Sequence, residues 1–258
     1  MADQLGVSEV AARLRESGSV FAEEEAELLL AQFDGSELAA AVLDRVAGEP
    51  LEHILGWAEF AGVRIHVAAG VFVPRRRSEI LLQQALAHLP RHGLMVELCC
   101  GAAPVATAIA AARVDATVFA SDHDPAAVAC ARLNLEPLGG HAEVGDMAAS
   151  VPVEYVGRVD VLVANAPYVP TDEIALMPSE ARLHEPAEAL DGGPDGTNLQ
   201  DLVAAAARPL LAPTGVVIIE TSRRQADTTA SRMLWRGFVP EVVLDDEVDG
   251  TCVIGRRQ

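Results

Sequence analysis

The chain contains no lysine; all nineteen of its basic residues are arginine. That absence excludes Schiff-base chemistry and a lysine-anchored phosphate loop, both of which need a lysine amine. Positive charge is scarce overall, since 38 acidic residues leave a formal net charge of -19. Without a basic stripe the chain lacks the counterion-releasing footprint of a nucleic-acid binder, so nucleic acid is not expected as a partner. Aromatic residues make up only 4% of the chain against 50% apolar residues, so its core must be mainly aliphatic. Four cysteines occur, two of them adjacent at Cys99 and Cys100, and no spacing suggests a metal site. They read as reduced, packed thiols of a cytoplasmic protein. No basic-then-apolar leader and no apolar run of membrane length is visible, so a soluble protein without a membrane partner is expected.

What is present divides into three stretches within 258 residues, room for one large domain and a small appendage. Residues 1–55 are acidic, with Val7, Val10, Ala11 and Leu14 at helical spacing and a second apolar face at Leu28 to Leu30, which predicts a small helical bundle. Residues 56–70 hold two short strand-like runs, Trp57 to Phe60 and Val63 to Val67, around Ala61-Gly62, the pattern of a β-hairpin. Residues 71–258 alternate strands and helices. Leu94 to Leu98 is a strand, followed by a tight turn and an Ala-rich helix to Arg113. Ala116 to Ser121 is a second strand that ends at Asp122, and Pro125 opens the next helix at the first-turn position where proline is tolerated. Asp146 follows Val144-Gly145 at the end of another strand. Later elements are a helix from Asn198, a strand at Val216 to Glu220, a helix from Gln225 to Arg236, and a closing antiparallel pair at Val239 to Leu244 and Thr251 to Ile254. Alternation of this kind predicts an α/β, Rossmann-like sheet.

The most informative segment is Asn165-Ala166-Pro167-Tyr168, directly after the apolar run Val159 to Ala164. Such a run reads as a buried parallel strand, and ligands of open α/β sheets bind beyond the carboxyl ends of these strands. The Asn165 carboxamide oxygen can accept one N–H of an amide or amino nitrogen, and a nearby backbone carbonyl the other. Pro167 fixes its own φ and pushes Ala166 towards an extended conformation, giving that carbonyl a defined direction. Tyr168 adds a flat wall with a polar tip. The plain alternative is a strand-ending turn, because Asn-x-Pro is common punctuation. Each strand-end aspartate could likewise be a helix cap. His184, in a loop, reads as a solvated bystander rather than a base.

Taken together these motifs resemble the protein-(glutamine-N5) methyltransferases, the group that includes release-factor glutamine methyltransferases. The resemblance runs from about Leu51 onward, through Pro50 to Gly56, Phe72-Val73-Pro74-Arg75 with Ser78-Glu79, Glu97 to Ala103, Asn165 to Tyr168, and Glu185-Pro186 with Ala189 to Gly193 and Asp195-Gly196. Asn-Ala-Pro-Tyr with Cys-Cys-Gly further resembles a subgroup without an assigned substrate. The resemblance implies a class I methyltransferase sheet with a small N-terminal helical domain joined by a hairpin. It implies S-adenosylmethionine as cofactor, held by Glu97, Cys99, Gly101, Ala103, Asp122, His123, Asp146, Met147 and Asn165. Asn165, Ala166, Pro167 and Tyr168 would hold a glutamine side-chain amide of a protein substrate, with a peptide-chain release factor among the candidates, and the helical bundle would help recognise it. No metal is implied.

Two departures from the family pattern stand out. Ala166 replaces a proline but keeps the carbonyl. In the loop after the first strand only Gly101 remains of three glycines, and the Cβ atoms of Ala102, Ala103 and Pro104 are expected to narrow the cofactor channel. Glu97 in place of aspartate adds one methylene and is expected to reach a cofactor amine. Two other readings therefore stay open: a methyltransferase for a small-molecule or nucleic-acid amino group, and a binding protein of this fold that has lost turnover.

Overall fold

Apolar residues spaced three and four apart bury one stripe of a helix, and the first elements of the chain are built on that pattern. The computed structural model describes residues 6–258; the first five, at the start of the expected bundle, lie outside the described residues. Helices α1 (Val7–Glu16), α2 (Ala22–Gln32), α3 (Gly35–Val46) and the short α4 (Leu51–Leu55) follow in order. Val10, Ala11 and Leu14 of α1 pack against Ala26 and Leu29 of α2 and Leu38 and Val42 of α3 in a cluster of their own. Gly56, with φ 76°, ends α4 in the left-handed conformation that a helix terminus favours.

The chain then enters a hairpin of β1 (Trp57–Phe60) and β2 (Val63–His66). Its two turn residues, Ala61 and Gly62, both have positive φ (50° and 77°), as a two-residue turn matched to strand twist requires. Phe60 and Ile65 of the hairpin are buried in the main core. After it come α5 (Glu79–His88), β3 (Leu94–Leu98), α6 (Pro104–Ala112), β4 (Thr117–Asp122), α7 (Pro125–Leu135), β5 (His141–Val144) and β6 (Val159–Ala164). The remaining elements are α8 (Ser179–His184), α9 (Asn198–Leu210), β7 (Leu211–Glu220), α10 (Ala226–Trp235), β8 (Phe238–Asp245) and β9 (Gly250–Arg257).

Seven strands form one sheet in the order β5-β4-β3-β6-β7-β9-β8. The first five pair in parallel, and β9 runs antiparallel to both β7 and β8. This is the α/β, Rossmann-like sheet expected from the alternation of elements. Strand β7 begins at Leu211, five residues before the expected start, and its register with β6 is irregular between Val159 and Val161. Strand β9 lies inside β8, which the hairpin sequence alone does not specify. The strand order reverses between β3 and β6, so the loops leaving these two strands diverge and open a crevice at their carboxyl ends. Among the described residues no helix is long and apolar enough to cross a membrane.

Candidate active site

The crevice is a cavity of about 680 Å³, within the usual range for a small-molecule site. Its floor is the loop after β3. Cys99, Gly101 and Ala103 all take left-handed φ values, 51°, 54° and 57°. For residues with a Cβ this conformation costs roughly 1–2 kcal/mol each, so neighbouring groups must hold it. The Gly101 N–H donates to Asp122 Oδ2 (2.8 Å) and the Cys100 N–H to the Ser121 carbonyl (3.1 Å). Asn134 of α7 donates to the Ala102 carbonyl (2.9 Å) and also bonds the His66 backbone, tying loop, helix and hairpin together. The loop thus keeps a glycine-type path although only one of the three positions is glycine.

One expectation about this loop is corrected. Ala103 is fully buried in the core beneath the loop and does not line the cavity, so its Cβ does not narrow the channel. Ala103 belongs to the core cluster that holds Val105, Ala106 and Ile109 of α6. Cys99, Ala102 and Pro104 do line the cavity, and a Cβ built on Gly101 would meet nothing within 4 Å.

Glu97, near the end of strand β3, also lines the cavity, but its carboxyl group is committed to the start of α6. Its Oε2 accepts the Ala106 N–H (2.6 Å), one of the donors left free at a helix N-terminus. Burial raises its pKa to about 8 against this pull from the Ala106 and Val105 N–H groups. The folded protein therefore holds a proton that the unfolded chain, with a value of 4.5, releases. This group lowers stability progressively as pH rises between those two values. Glu97→Gln is expected to flatten that fall: the drop in urea midpoint from about pH 5 to about pH 8 should be smaller in the variant than in the wild type. Equal drops would show that Glu97 is ionised throughout.

Acidic side chains continue along the same wall. At the end of β4, Asp122 is 8% exposed and its second oxygen accepts the Asp124 N–H (3.0 Å). His123 Nδ1 lies 3.3 Å from Asp122 Oδ1, and the ring is half exposed. After β5, Asp146 and Met147 complete this wall, Met147 with φ 49°. Cys99 is held as a thiol, its pKa pushed up to about 12 by burial and then by Asp122 and Asp146.

The opposite wall comes from the segment after β6. Asn165, Pro167 and Tyr168 line the cavity, whereas Ala166 is fully buried in the core cluster that includes Val203 and Ala204 of α9. The Asn165 Nδ2 donates to Ser78 Oγ (3.1 Å), which leaves Oδ1 as the open end of the carboxamide. Among the described residues no protein group donates to Asn165 Oδ1 or to the Ala166 carbonyl. The Tyr168 hydroxyl donates to Glu220 Oε1 (3.1 Å), and burial pushes both the phenol and the Glu220 carboxyl above their ordinary values. The Asp191 to Gly196 loop is stitched to this segment: Gly192 N–H donates to the Val169 carbonyl (2.8 Å), and Gln225 links the carbonyls of Tyr168 and Asp195 (2.9 and 3.0 Å).

Several lining residues have no individual role in the sequence reading. Phe72, Arg75, Arg77 and Ser78 come from the stretch before α5, whose motif was legible although its place in the fold was not. Met177 and Glu188 come from the excursion between β6 and α9, Glu188 from within the Glu185 to Gly193 stretch quoted above and Met177 from outside any motif. His184 stands outside the cavity, its Nδ1 2.8 Å from Glu49 Oε2, where it joins α8 to the helical bundle. The cavity is therefore acidic at the β3–β5 end and carries two arginines at the other. An acidic half suits a cationic ligand, and two unclaimed carbonyl-type acceptors at the end of β6 suit an NH₂ group.

The family model for the methyltransferase small domain matches residues 62–197. A release factor glutamine methyltransferase from Geobacter sulfurreducens is 32% identical over 86% of this chain and 78% of its own length. Another of that name, from Mycolicibacterium smegmatis, is 40% identical over 69% of this chain and 62% of its own. Among solved structures, a methyltransferase from Pyrococcus furiosus superposes with a TM-score of 0.56 at 16% identity, covering 86% of this chain and 98% of that one, which is a likeness of fold.

Proposed function

We propose, for a chain that belongs to the release factor glutamine methyltransferase family, that its cavity joins a methyl donor to a glutamine side chain. The protein is an S-adenosylmethionine-dependent N-methyltransferase that acts on the amide nitrogen of a protein substrate. The finer reading is that this substrate is a peptide-chain release factor, met in the cytoplasm. The observation that carries the amide assignment is the Asn165 carboxamide, fixed through its Nδ2 with its Oδ1 open, beside the unclaimed Ala166 carbonyl.

S-adenosylmethionine, when bound, supplies an electrophilic methyl on a positively charged sulfur. The acidic half of the cavity fits such a cation. When bound, the donor would meet Asp122 and His123 with its ribose, Asp146 and Met147 with its base, and the backbone from Cys99 to Gly101 with its amino-acid part. Ala103 and Glu97 act from beneath, by supporting the loop and the start of α6.

The chemical difficulty is that an amide nitrogen is a weak nucleophile, its lone pair being delocalised into the carbonyl. Accepting both N–H bonds, at Asn165 Oδ1 and the Ala166 carbonyl, orients the NH₂ group and draws electron density towards nitrogen. Pro167 holds the direction of that carbonyl, and Tyr168 confines the amide from one side. Positioning of this kind can supply a large part of the acceleration. The glycine-poor loop, which suggested lost turnover, keeps left-handed geometry at all three positions, so that alternative loses its main support.

The test is methyl transfer from labelled S-adenosylmethionine to a release factor, with the site mapped by mass spectrometry. Label on one glutamine is expected; no transfer by a protein that binds the donor would overturn the release-factor assignment. Asp122→Ala is expected to weaken donor binding by about 1.5–3 kcal/mol, the scale for hydrogen bonds to a charged group. An unchanged calorimetric Kd would reduce Asp122 to a tie for the Gly101 N–H.

A further inference from the structure

We propose that Arg77 forms an anion subsite beside the amide grip, selecting protein substrates with an aspartate or glutamate within about two residues of the target glutamine. The inference rests on the amide-transfer reading given above and adds the sequence context of the methylated residue.

Basic residues are scarce and scattered in this acidic chain, and three of them adjoin only at Arg75-Arg76-Arg77. The run lies just ahead of α5. Arg75 and Arg77 line the cavity and Arg76 does not. Arg75 is already spent, its Nη2 paired with Glu185 Oε1 at 2.5 Å. Arg77 is not. Its one carboxylate within ion-pair distance, among the described residues, is Glu220, with Nε 3.5 Å from Oε1. That same oxygen already accepts from the Tyr168 hydroxyl (3.1 Å), and burial holds the Glu220 carboxyl above its ordinary value. Glu220 therefore cancels only part of the Arg77 charge.

The guanidinium is nevertheless held in place. Its carbon lies over the Tyr168 ring, 5.8 Å from the ring centre, within reach of cation–π attraction. The next residue, Ser78, is buried and accepts from Asn165 Nδ2 (3.1 Å), which fixes the backbone that carries Arg77. The Arg77 side chain is 48% exposed, so a substrate can reach it. A planar cation with free N–H groups matches a carboxylate in two-pronged geometry, as a lysine amine could not.

Tyr168 joins the two parts of this wall, since it borders the amide grip and carries Arg77 over its ring. An extended peptide advances about 3.3–3.6 Å per residue, so a group on Arg77 lies about one or two residues from the gripped glutamine. Towards the cofactor end the cavity wall changes sign. Glu188, whose side chain is 85% exposed, lines it with Oε2 3.8 Å from His123 Nε2. An acidic side chain of the substrate is thus drawn to the Arg77 end and repelled from the other.

Peptides with blocked ends and one internal glutamine test this on the full chain with S-adenosylmethionine. Asp, Asn or Lys is placed in turn at each position within two residues of the glutamine. At one of these positions kcat/KM for the Asp peptide is expected to exceed that for the Asn peptide by about fivefold to tenfold, the scale for a half-exposed charge-assisted pair. Each ratio is taken within one protein, so a smaller folded fraction in a variant cancels. Arg77→Gln should bring the ratio to about one, and Arg77→Glu should turn the preference towards the Lys peptide. Arg76→Gln should keep the wild-type ratio within about twofold, because Arg76 does not line the cavity. A wild-type ratio near one at every position, a ratio that survives Arg77→Gln, or an equal loss in Arg76→Gln would overturn the proposal. If the wild type bound the donor but methylated none of the peptides, the amide-transfer reading would fall. Fluorescence anisotropy of the same peptides would then decide the subsite: tighter binding of the Asp peptide that Arg77→Gln abolishes would support it, and equal or unmeasurable affinities would sink it.

Discussion

Asn165→Ala is expected to abolish measurable methyl transfer while leaving S-adenosylmethionine affinity within a few-fold. The side chain lies at the end of β6, its Nδ2 is spent on Ser78, and its Oδ1 is the group free to accept a substrate N–H. An acceptor whose bond strengthens as the amide nitrogen gives up electron density to the methyl, and its protons become more acidic, acts mainly in the transition state. Removing one such preorganised group typically costs about 10²–10³ in kcat. The loss should appear in kcat and in kcat/KM alike, as for an interaction made only in the transition state. A collapse of donor binding in a folded Asn165→Ala protein would show instead that Asn165 holds the cofactor. Asn165→Asp, which keeps an acceptor but cannot donate to Ser78, should also fail, showing that an acceptor alone does not suffice.

Gly192→Ala is expected to damage both activity and stability, for a reason that involves no change in chemistry. A Cβ at Gly192 would stand 2.6 Å from the Gly196 carbonyl oxygen, 2.7 Å from the Pro167 carbonyl oxygen and 2.7 Å from Tyr168 Cα. All three are backbone atoms and cannot rotate away. The backbone φ is not in the left-handed region, so the requirement for glycine here is close approach alone. Relieving the clash must move either the Asp191 to Gly196 loop or the segment carrying Pro167 and Tyr168. Overpacking of this kind costs about 1–3 kcal/mol, which for a chain of this length lowers Tm by roughly 2–4 °C per kcal/mol. A displaced substrate wall should cut kcat by about tenfold to a hundredfold, given that misplacement by 1 Å can cost 10². Wild-type kcat with an unchanged Tm would show that the two loops can separate freely, contrary to the Gly192–Val169 and Gln225–Tyr168 hydrogen bonds that tie them.

The strands, the hairpin and the strand-end positions of Asp122, Asp146 and Asn165 were legible in the sequence. Each depends on patterns only a few residues long: apolar runs bounded by turn residues, a two-residue turn, proline opening a helix. The same local logic is less informative about side-chain direction within an irregular loop. Ala103 and Cys99 both occupy family glycine positions and both take left-handed φ, yet one faces the core and the other the cavity. Spacing could not separate them, because direction there depends on which hydrogen bonds hold the loop. Glu97 is similar: its position near the end of β3 was evident, but its commitment to the Ala106 N–H became visible only once α6 was seen to start beside it.

By itself the sequence determined that this is an α/β chain with an aliphatic core, and that an Asn-Ala-Pro-Tyr tetrapeptide follows a buried strand. Periodicity and turn chemistry are short-range and survive in one dimension. Only the tertiary structure decided which distant residues serve that tetrapeptide. Ser78 lies 87 residues from Asn165, and Glu220 lies 52 from Tyr168. They meet because β7 pairs beside β6 and the stretch before α5 crosses their carboxyl ends. Strand order is a global outcome of burying every apolar face at once, and no local pattern encodes it.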